Sequence, residues 1–385
     1  LVEMGRAYRC YLTAEELEVL REEAAKRGEP PGYQRGWCTE ERRRRGEAEG
    51  QPYVLRFRAP DSGTIVVDDL VHGPVSFEVA QMVDDFVLIK KDGVPTYNYA
   101  VVIDDATMGI THVLRGDDHL SNTPKQIAIY QALNLPLPRF GHIPMILGPD
   151  KTRLSKRHGA TSVMQYSTDG YLSDALVNYL VRLGWAHGDQ EIFSREEMIR
   201  AFDLQGLNKT AAVFDPAKLE WLNAHYIKSM PASDLAVCML PFWEAKGLPA
   251  AAQPPAWLAR VVSSLQERSR TLVQLAEASA IFFDRPLEFD DAAVSKFLNA
   301  ENAALLGTLR ERLAALPEWE ESALETTFKA LAEERGIKLG ALIQPTRVAV
   351  TGRTASPGMY EVLVLLGREL SLRRLEQAIA TASRA

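Results

Sequence analysis

Cysteine is nearly absent from this sequence, with only Cys10, Cys38 and Cys238 among 385 residues. Three scattered thiols exclude a disulfide framework, and a reducing compartment, the cytoplasm, is the expected location. No apolar run approaches the roughly 20 residues that span a membrane, so no membrane partner is expected. The opening "LVEMGRAYRCYL" runs into a charged helix and not into an apolar leader core, so no secretory signal is expected there. Positive charge is also in deficit. Lys and Arg total 44 against 51 Asp and Glu, a formal net charge of −7. That balance argues against nucleic-acid binding over the whole surface and leaves room for a local basic face. Internal repeats, low-complexity tracts and the P-loop pattern G-x-x-x-x-G-K-[ST] are all missing.

What remains has the make-up of a globular protein, 46% hydrophobic and 25% charged, long enough for about two to four domains. Thr13-Ala-Glu-Glu16 predicts a capped helix to about Lys26. "TEERRRRGEAEG" predicts a second, solvated helix whose Arg42 to Arg45 run forms i,i+4 pairs with nearby glutamates. From Tyr53 the pattern changes to short strands, "YVLRFRAP", "TIVVDDLV" and "PVSFEV". "FVLIKKDGVPTYNYAVVIDD" reads as a hairpin turning at Lys91-Asp92-Gly93. "GITHVLRG" predicts a strand, "DDHLSNTPKQIAIYQALN" a helix with Pro124 in its first turn, and "RFGHIPMILG" another strand. Strand, helix, strand in this order predicts parallel α/β structure with a ligand site at the carboxyl ends of the strands. Beyond Thr161 the pattern turns helical, with starts at Ser194 and Asp215-Pro216 and a boundary at "SMPASD". The fold class is therefore α/β followed by all-α.

The stretch "PDKTRLSKRHGATS" concentrates Lys151, Arg153, Lys156 and Arg157 in one loop just after a strand. A flexible lysine and backbone N–H groups in such a loop suit a polyphosphate, because they follow charge as it moves onto a leaving group. By itself the composition is that of an ordinary basic surface loop.

"RLSKR" (Arg153 to Arg157) resembles the KMSKS motif of class I aminoacyl-tRNA synthetases. "YNYAVVIDD", "GITHVLRGDDHLSNTPKQIAIYQALN", "LSKRHGATSVMQYSTDGYLSDALVNYLVRLGW", "DQEIFSREEMIRAF", "FDPAKLEWLNAHYI" and "QPTRVAVTGRTASPGMYEVLVLLGRE" together resemble the bacterial glutamyl-tRNA synthetase family over essentially the whole chain. The resemblance implies a partial class I Rossmann-type catalytic domain, an inserted acceptor-binding domain, and helical stem-contact and anticodon-binding domains. It divides the chain into an acceptor-stem-binding insertion (1–95), the second half of the Rossmann domain (96–145), the KMSKS-like loop with a stem-contact domain (146–232) and a helical anticodon-binding region in two sub-bundles (233–385). It also implies ATP with Mg2+, L-glutamate and tRNA(Glu) as reactants, and a monomer. The family's first Rossmann strand and HIGH motif have no counterpart here. "GHIP" (Gly141 to Pro144) is no substitute, because it lies on a strand and HIGH opens a helix. A shortened, inactive form of a glutamate–tRNA ligase is therefore the expectation. The alternatives are an enzyme that charges tRNA(Gln) with glutamate and a catalytically dead tRNA-binding protein.

The same resemblance assigns roles. Lys156 matches the ATP-contacting lysine, with Ser155 and Arg157 shaping its loop and Arg153 and Leu154 completing the nucleotide contact. Tyr97 and Arg115 match residues lining the glutamate pocket, where a guanidinium grips a carboxylate with two parallel bonds. Asp118 faces substrate, ribose or only a helix N-terminus, and His119 forms part of the nucleotide pocket wall. His158 could touch phosphate, and the other histidines carry no constellation. Some relatives hold zinc near Cys10 and Cys38, but Leu12 and Glu40 stand at the partner positions, so no zinc and two free thiols are expected. Lys338, Arg347, Arg353 and Arg373 are candidate phosphate contacts. Trp221 and Trp257 are expected in the core.

Overall fold

Thr13 starts the first helix as its sequence requires. In the computed structural model, which describes residues 1–29, 32–155, 157 and 162–382, its hydroxyl accepts from the Glu16 N–H while the Glu16 carboxylate accepts from the Thr13 N–H at 2.7 Å. The helix, Ala14–Lys26, follows strand β1 (Ala7–Cys10). A second helix, Glu40–Ala48, leads to β2 (Val54–Phe57), β3 (Thr64–Asp69), β4 (Gly73–Glu78) and β5 (Val87–Ile89). Then come helix Tyr97–Thr107, β6 (His112–Gly116), a 3-10 turn (Asp117–Asn122), helix Thr123–Leu133 and β7 (Arg139–Ile143).

The strands form two sheets. β1, β2 and β5 make an antiparallel sheet, and the other has the order β4-β3-β7-β6. In the second sheet β3 and β4 are antiparallel, and β7 runs parallel to both β3 and β6. This sheet draws β3 and β4 from residues 1–95 and β6 and β7 from residues 96–145. The parallel β6–helix–β7 unit is the α/β arrangement read from the sequence. Ile65 and Val67 on alternate positions of β3 join Phe57, Ile129, Tyr130 and Phe140 in the core.

The hairpin after Phe86 is only half present. Gly93 turns the chain at φ +82° and Ile89 bridges Pro95. Pro95 has no N–H to extend a ladder, and "YNYAVVIDDAT" becomes a helix that packs on Thr123–Leu133 and buries Val102. The arginine run also differs in one place. Arg44 makes the expected i,i+4 pair with Glu40 at 2.6 Å. Arg42, whose side chain is 10% exposed, turns inward to Glu16, Gln51 and the Tyr11 carbonyl.

Two compact units divide the chain, Leu1–His158 with Leu180–Phe214, and Gly159–Tyr179 with Asp215–Ala385. The described part of the second unit is helical. Helix Pro216–Ser229 is capped by Asp215, as predicted, and is followed by Ala232–Ala245, Pro255–Gln266, Leu272–Ser279 and further helices to Arg368–Ala382. Trp243, Phe283, Phe328 and many leucines fill one core. Trp257 is partly buried against it and donates to the Leu365 carbonyl at 2.9 Å. Trp221 does not, being 53% exposed. Leu219, Leu222, Asn223 and Ile227 form the buried face of its helix, and two residues beyond Leu219 is about 200° around the axis. No described helix is long and apolar enough to cross a membrane.

Candidate functional site

Parallel pairing of β6 with β7 sets Arg115 opposite His142. Both lie near the carboxyl ends of their strands, and Asp69 ends the neighbouring β3. The Arg115 Nε–H points at His142 Nε2, 3.2 Å away. Its Nη2 donates to Thr123 Oγ1 at 2.8 Å and Gln126 Oε1 at 2.9 Å, and lies 3.4 Å from the His119 carbonyl. Gln126 in turn donates to Asn98 Oδ1 at 3.0 Å. Every one of these acceptors is neutral. Among the described residues no carboxylate forms an ion pair with Arg115, although its guanidinium is half-buried. Burial lowers its pKa, opposed by the nearby Tyr97 hydroxyl and Asp105. A half-buried cation with neutral supports is a ready site for an anion.

Tyr97 is the first residue of its helix and is half exposed. Its ring stands 5.8 Å from that of His119. Asp118 does not cap the helix that follows, which has no side-chain cap. Its carboxylate instead meets Arg153 of the basic loop at 3.4 Å. The adjacent Asp117 reaches His72 Nε2 at 2.9 Å. Tyr97, Arg115, Asp118, His119 and Arg153 are thus brought to one end of the parallel strands.

In the basic loop, Arg153 bridges Leu147 in antiparallel fashion, and the Leu154 N–H donates to the Ile146 carbonyl at 2.9 Å. Arg157 folds back onto Asp150 at 3.1 Å and Thr152 at 2.7 Å. Lys151 sits at φ +60°, at the tip of this turn. Ser155 is exposed on the same loop. Lys156 and His158 lie outside the described residues.

The histidine that sequence reasoning passed over is His142. "GHIP" does lie on a strand, and His142 is fully buried there. Its Nδ1 is 2.6 Å from Asp69 Oδ2, with both side chains at 0% exposure. Asp69 also accepts from the N–H groups of Val71, His72 and His142. Burial pushes the Asp69 carboxyl up, and these bonds outweigh it, leaving the group below the usual carboxylate range. Burial lowers the His142 pKa and prevails over the neighbouring carboxylate. The sequence signals one half of this pair: "TIVVDD" alternates, so Asp69 shares the inward face with Ile65 and Val67.

Zinc does not fit the Cys10–Cys38 pair. Both thiols are buried and free, among Tyr8, Leu12 and Tyr33. A hydrogen bond from Cys38 brings the Cys10 thiol down to about 5, and the same contact together with burial pushes Cys38 up. Two sulfurs and a tyrosine hydroxyl fall short of four N/S ligands, and Glu40 is engaged by Arg44. Among the described residues no group of three or more His, Cys, Asp or Glu could hold a metal ion. In the second unit, Arg347 is tied inward to the carbonyls of Ser356 and Pro357, and Arg373 pairs with Asp284. Arg353 helps line a cavity of about 260 Å³ with Lys246, Arg285 and Glu288.

Comparison with known proteins gives two family matches. Residues 1–221 match the family described as tRNA synthetases class I (E and Q), catalytic domain, and residues 234–379 match an anticodon binding domain. The chain is 50% identical over 380 residues to a glutamate–tRNA ligase of Citrifermentans bemidjiense, covering 99% of this chain and 80% of the relative. A glutamate–tRNA ligase of Geobacter sulfurreducens matches at the same identity and coverage. Among solved structures, a glutamate tRNA ligase from Elizabethkingia meningosepticum in complex with its amino acid aligns with a TM-score of 0.88 at 29% identity, over 99% of this chain and 80% of that one.

Proposed function

The chain belongs to the class I tRNA synthetase family for glutamate and glutamine, and we propose that it serves as a glutamate–tRNA ligase with ATP, L-glutamate and tRNA(Glu) as substrates, acting in the cytoplasm as a monomer. In the first step a glutamate carboxylate oxygen attacks the α-phosphorus of ATP, the bond to the bridging oxygen breaks, and pyrophosphate leaves. In the second step a terminal ribose hydroxyl of the tRNA attacks the acyl carbon and AMP leaves. The observation that carries this reading is Arg115, a half-buried guanidinium at the end of a parallel strand whose protein partners are all neutral. A substrate with two carboxylates supplies the missing counter-charge. With Nε and Nη2 engaged by protein acceptors, the contact to a substrate carboxylate would run through Nη1.

Tyr97 and His119 would flank the amino acid, and Asp118, through Arg153, ties the strand ends to the basic loop. Lys156 would neutralise charge on the β and γ phosphates as pyrophosphate departs. Magnesium carried by the triphosphate would supply positive charge that offsets the charge on the leaving pyrophosphate. Residues 1–95 would contact the acceptor stem, 146–232 the stem and 233–385 the anticodon region.

The test is glutamate-dependent exchange of pyrophosphate into ATP with tRNA(Glu) present, on residues 1–385 and on Lys156→Ala. We expect tRNA binding without exchange, because residues 1–385 contain no HIGH sequence of the kind that opens a phosphate-facing helix. Exchange that disappears in Lys156→Ala would support the loop assignment and refute that expectation. Absence of both tRNA and glutamate binding would sink the ligase reading. Charging tRNA(Glu) and tRNA(Gln) side by side separates the discriminating enzyme from the non-discriminating one.

A further inference from the structure

We propose that the buried Asp69–His142 pair is a positioning device for amino-acid recognition, holding Arg115 by its Nε so that Nη1 is left for the substrate carboxylate. The inference rests on the reading of Arg115 as the carboxylate-binding group and deepens it.

The roles of the atoms follow from what each can do. A carboxylate only accepts and a guanidinium only donates. The His142 ring stands between them, with Nδ1 at 2.6 Å from Asp69 Oδ2 and Nε2 at 3.2 Å from Arg115 Nε. The proton therefore sits on Nδ1, and Nε2 presents its lone pair to Arg115. Thr123 completes the ring's surroundings, with Oγ1 at 3.0 Å from Nε2 while accepting from Arg115 Nη2. An imidazolium here would set an N–H against the guanidinium N–H in a site closed to water, which burial disfavours.

The arrangement also keeps the Asp69 carboxylate one ring away. Asp69 orients the neutral imidazole and never touches the guanidinium, whose charge is left for the substrate. A carboxylate placed directly on Arg115 would occupy the donors a substrate needs. Asp69 is itself anchored by three backbone N–H groups from β7 and the turn after β3, so the ring plane is fixed by the sheet. The imidazole then fixes the guanidinium plane, and Gln126 and Thr123 lock its other edge.

The experiment uses two substitutions of similar size with opposite consequences. His142→Asn can keep a donor to Asp69 but loses the acceptor for Arg115. His142→Gln can restore an acceptor near the Nε2 position. Affinity for L-glutamate and, separately, for ATP is measured by calorimetry on the unchanged chain, both variants, Asp69→Asn and Arg115→Ala, with thermal unfolding as the control for folding. The expected result is glutamate binding weakened about tenfold in His142→Asn, substantially recovered in His142→Gln, and ATP affinity unchanged in both. Nitrogen NMR of the unchanged chain is expected to show His142 as the neutral Nδ1–H tautomer. If either substitution prevents folding, that spectrum still decides, because an Nε2–H tautomer or an imidazolium overturns the proposal. Equal losses of thermal stability with unaltered glutamate affinity would also overturn it, leaving a purely structural pair. If Arg115→Ala leaves glutamate affinity unaltered, or the unchanged chain does not bind glutamate, the reading of Arg115 fails first.

Discussion

Replacing Asp85 by Asn should loosen the β1-β2-β5 sheet without altering its shape. The Asp85 side chain is 3% exposed and accepts four hydrogen bonds. Oδ2 takes the Tyr8 hydroxyl at 2.7 Å and Arg35 Nε at 2.8 Å, and Oδ1 takes Arg35 Nη2 and the Ala59 N–H, both at 2.9 Å. An amide keeps one acceptor and turns an NH2 against N–H donors. Removing one partner of a buried ion pair costs about 3–5 kcal/mol. Arg35 retains 32% exposure and a second partner, Asp61, at 2.7 Å, so the stranded guanidinium rehydrates and the cost falls to about 3 kcal/mol. Hydrogen exchange reads this directly, as an acceleration of roughly 100-fold for amides of that sheet at neutral pH. The pH dependence supplies a second check. Burial pushes the Asp85 carboxyl up, and its bonds from Arg35, Tyr8 and Ala59 prevail, leaving it below the usual value. The folded-state pKa is thus depressed, so the stabilisation is fully present above the unfolded value of about 3.9 and is lost as pH falls through the folded one. The gap between the parent and Asp85→Asn should therefore close below about pH 4. Exchange rates within twofold at neutral pH, or a gap undiminished in acid, would refute the reasoning.

Other perturbations probe the second unit and the thiols. Arg374 is 2% exposed and donates to the carbonyls of Ile281, Phe283 and Val350. Arg374→Met should cost about 3 kcal/mol through the orphaned carbonyls, and a change under 0.5 kcal/mol in urea unfolding would contradict that. Gly170 sits at φ +85°, and a Cβ there would come within 2.6 Å of the Val273 nitrogen. Gly170→Ala should lower stability by more than about 2 kcal/mol, and an unshifted melting temperature would show that the backbone yields. Native alkylation should mark half-buried Cys238 before buried Cys10 and Cys38. Modification of Cys10 first would mean that its low pKa outweighs burial.

Local chemistry was the readable part of the sequence. The caps at Thr13, Ser194 and Asp215 all form, because each needs only groups a few residues apart. The β6–helix–β7 unit was likewise visible from period and turn residues. What escaped depends on pairing between distant segments. Asp69 and His142 meet across 73 residues, and only the register of β6 on β7 aligns Arg115 with His142. The charged neighbours of Arg42 imply a solvated side chain, yet it is drawn in because Gly46, against the Tyr11 ring, lets the helix lie close to the core. Residue type alone puts Trp221 in the core, whereas the helical angle from Leu219 puts it outside.

The interleaving of the two units has a consequence for synthesis. Residues 159–179 belong with 215–385, although 180–214 come between them in the chain. Leu172 hands its N–H to Asn223, 51 residues later, and Tyr179 engages Asp215, 36 residues later. At the usual ~5–20 residues per second, this stretch would leave the ribosome seconds before its partners exist. Leu172 and Ala175, both destined for the core of the helical unit, would stay uncovered through that interval. A cell producing this protein must guard a short apolar segment in mid-translation, and slow codons between 180 and 214 would lengthen the wait.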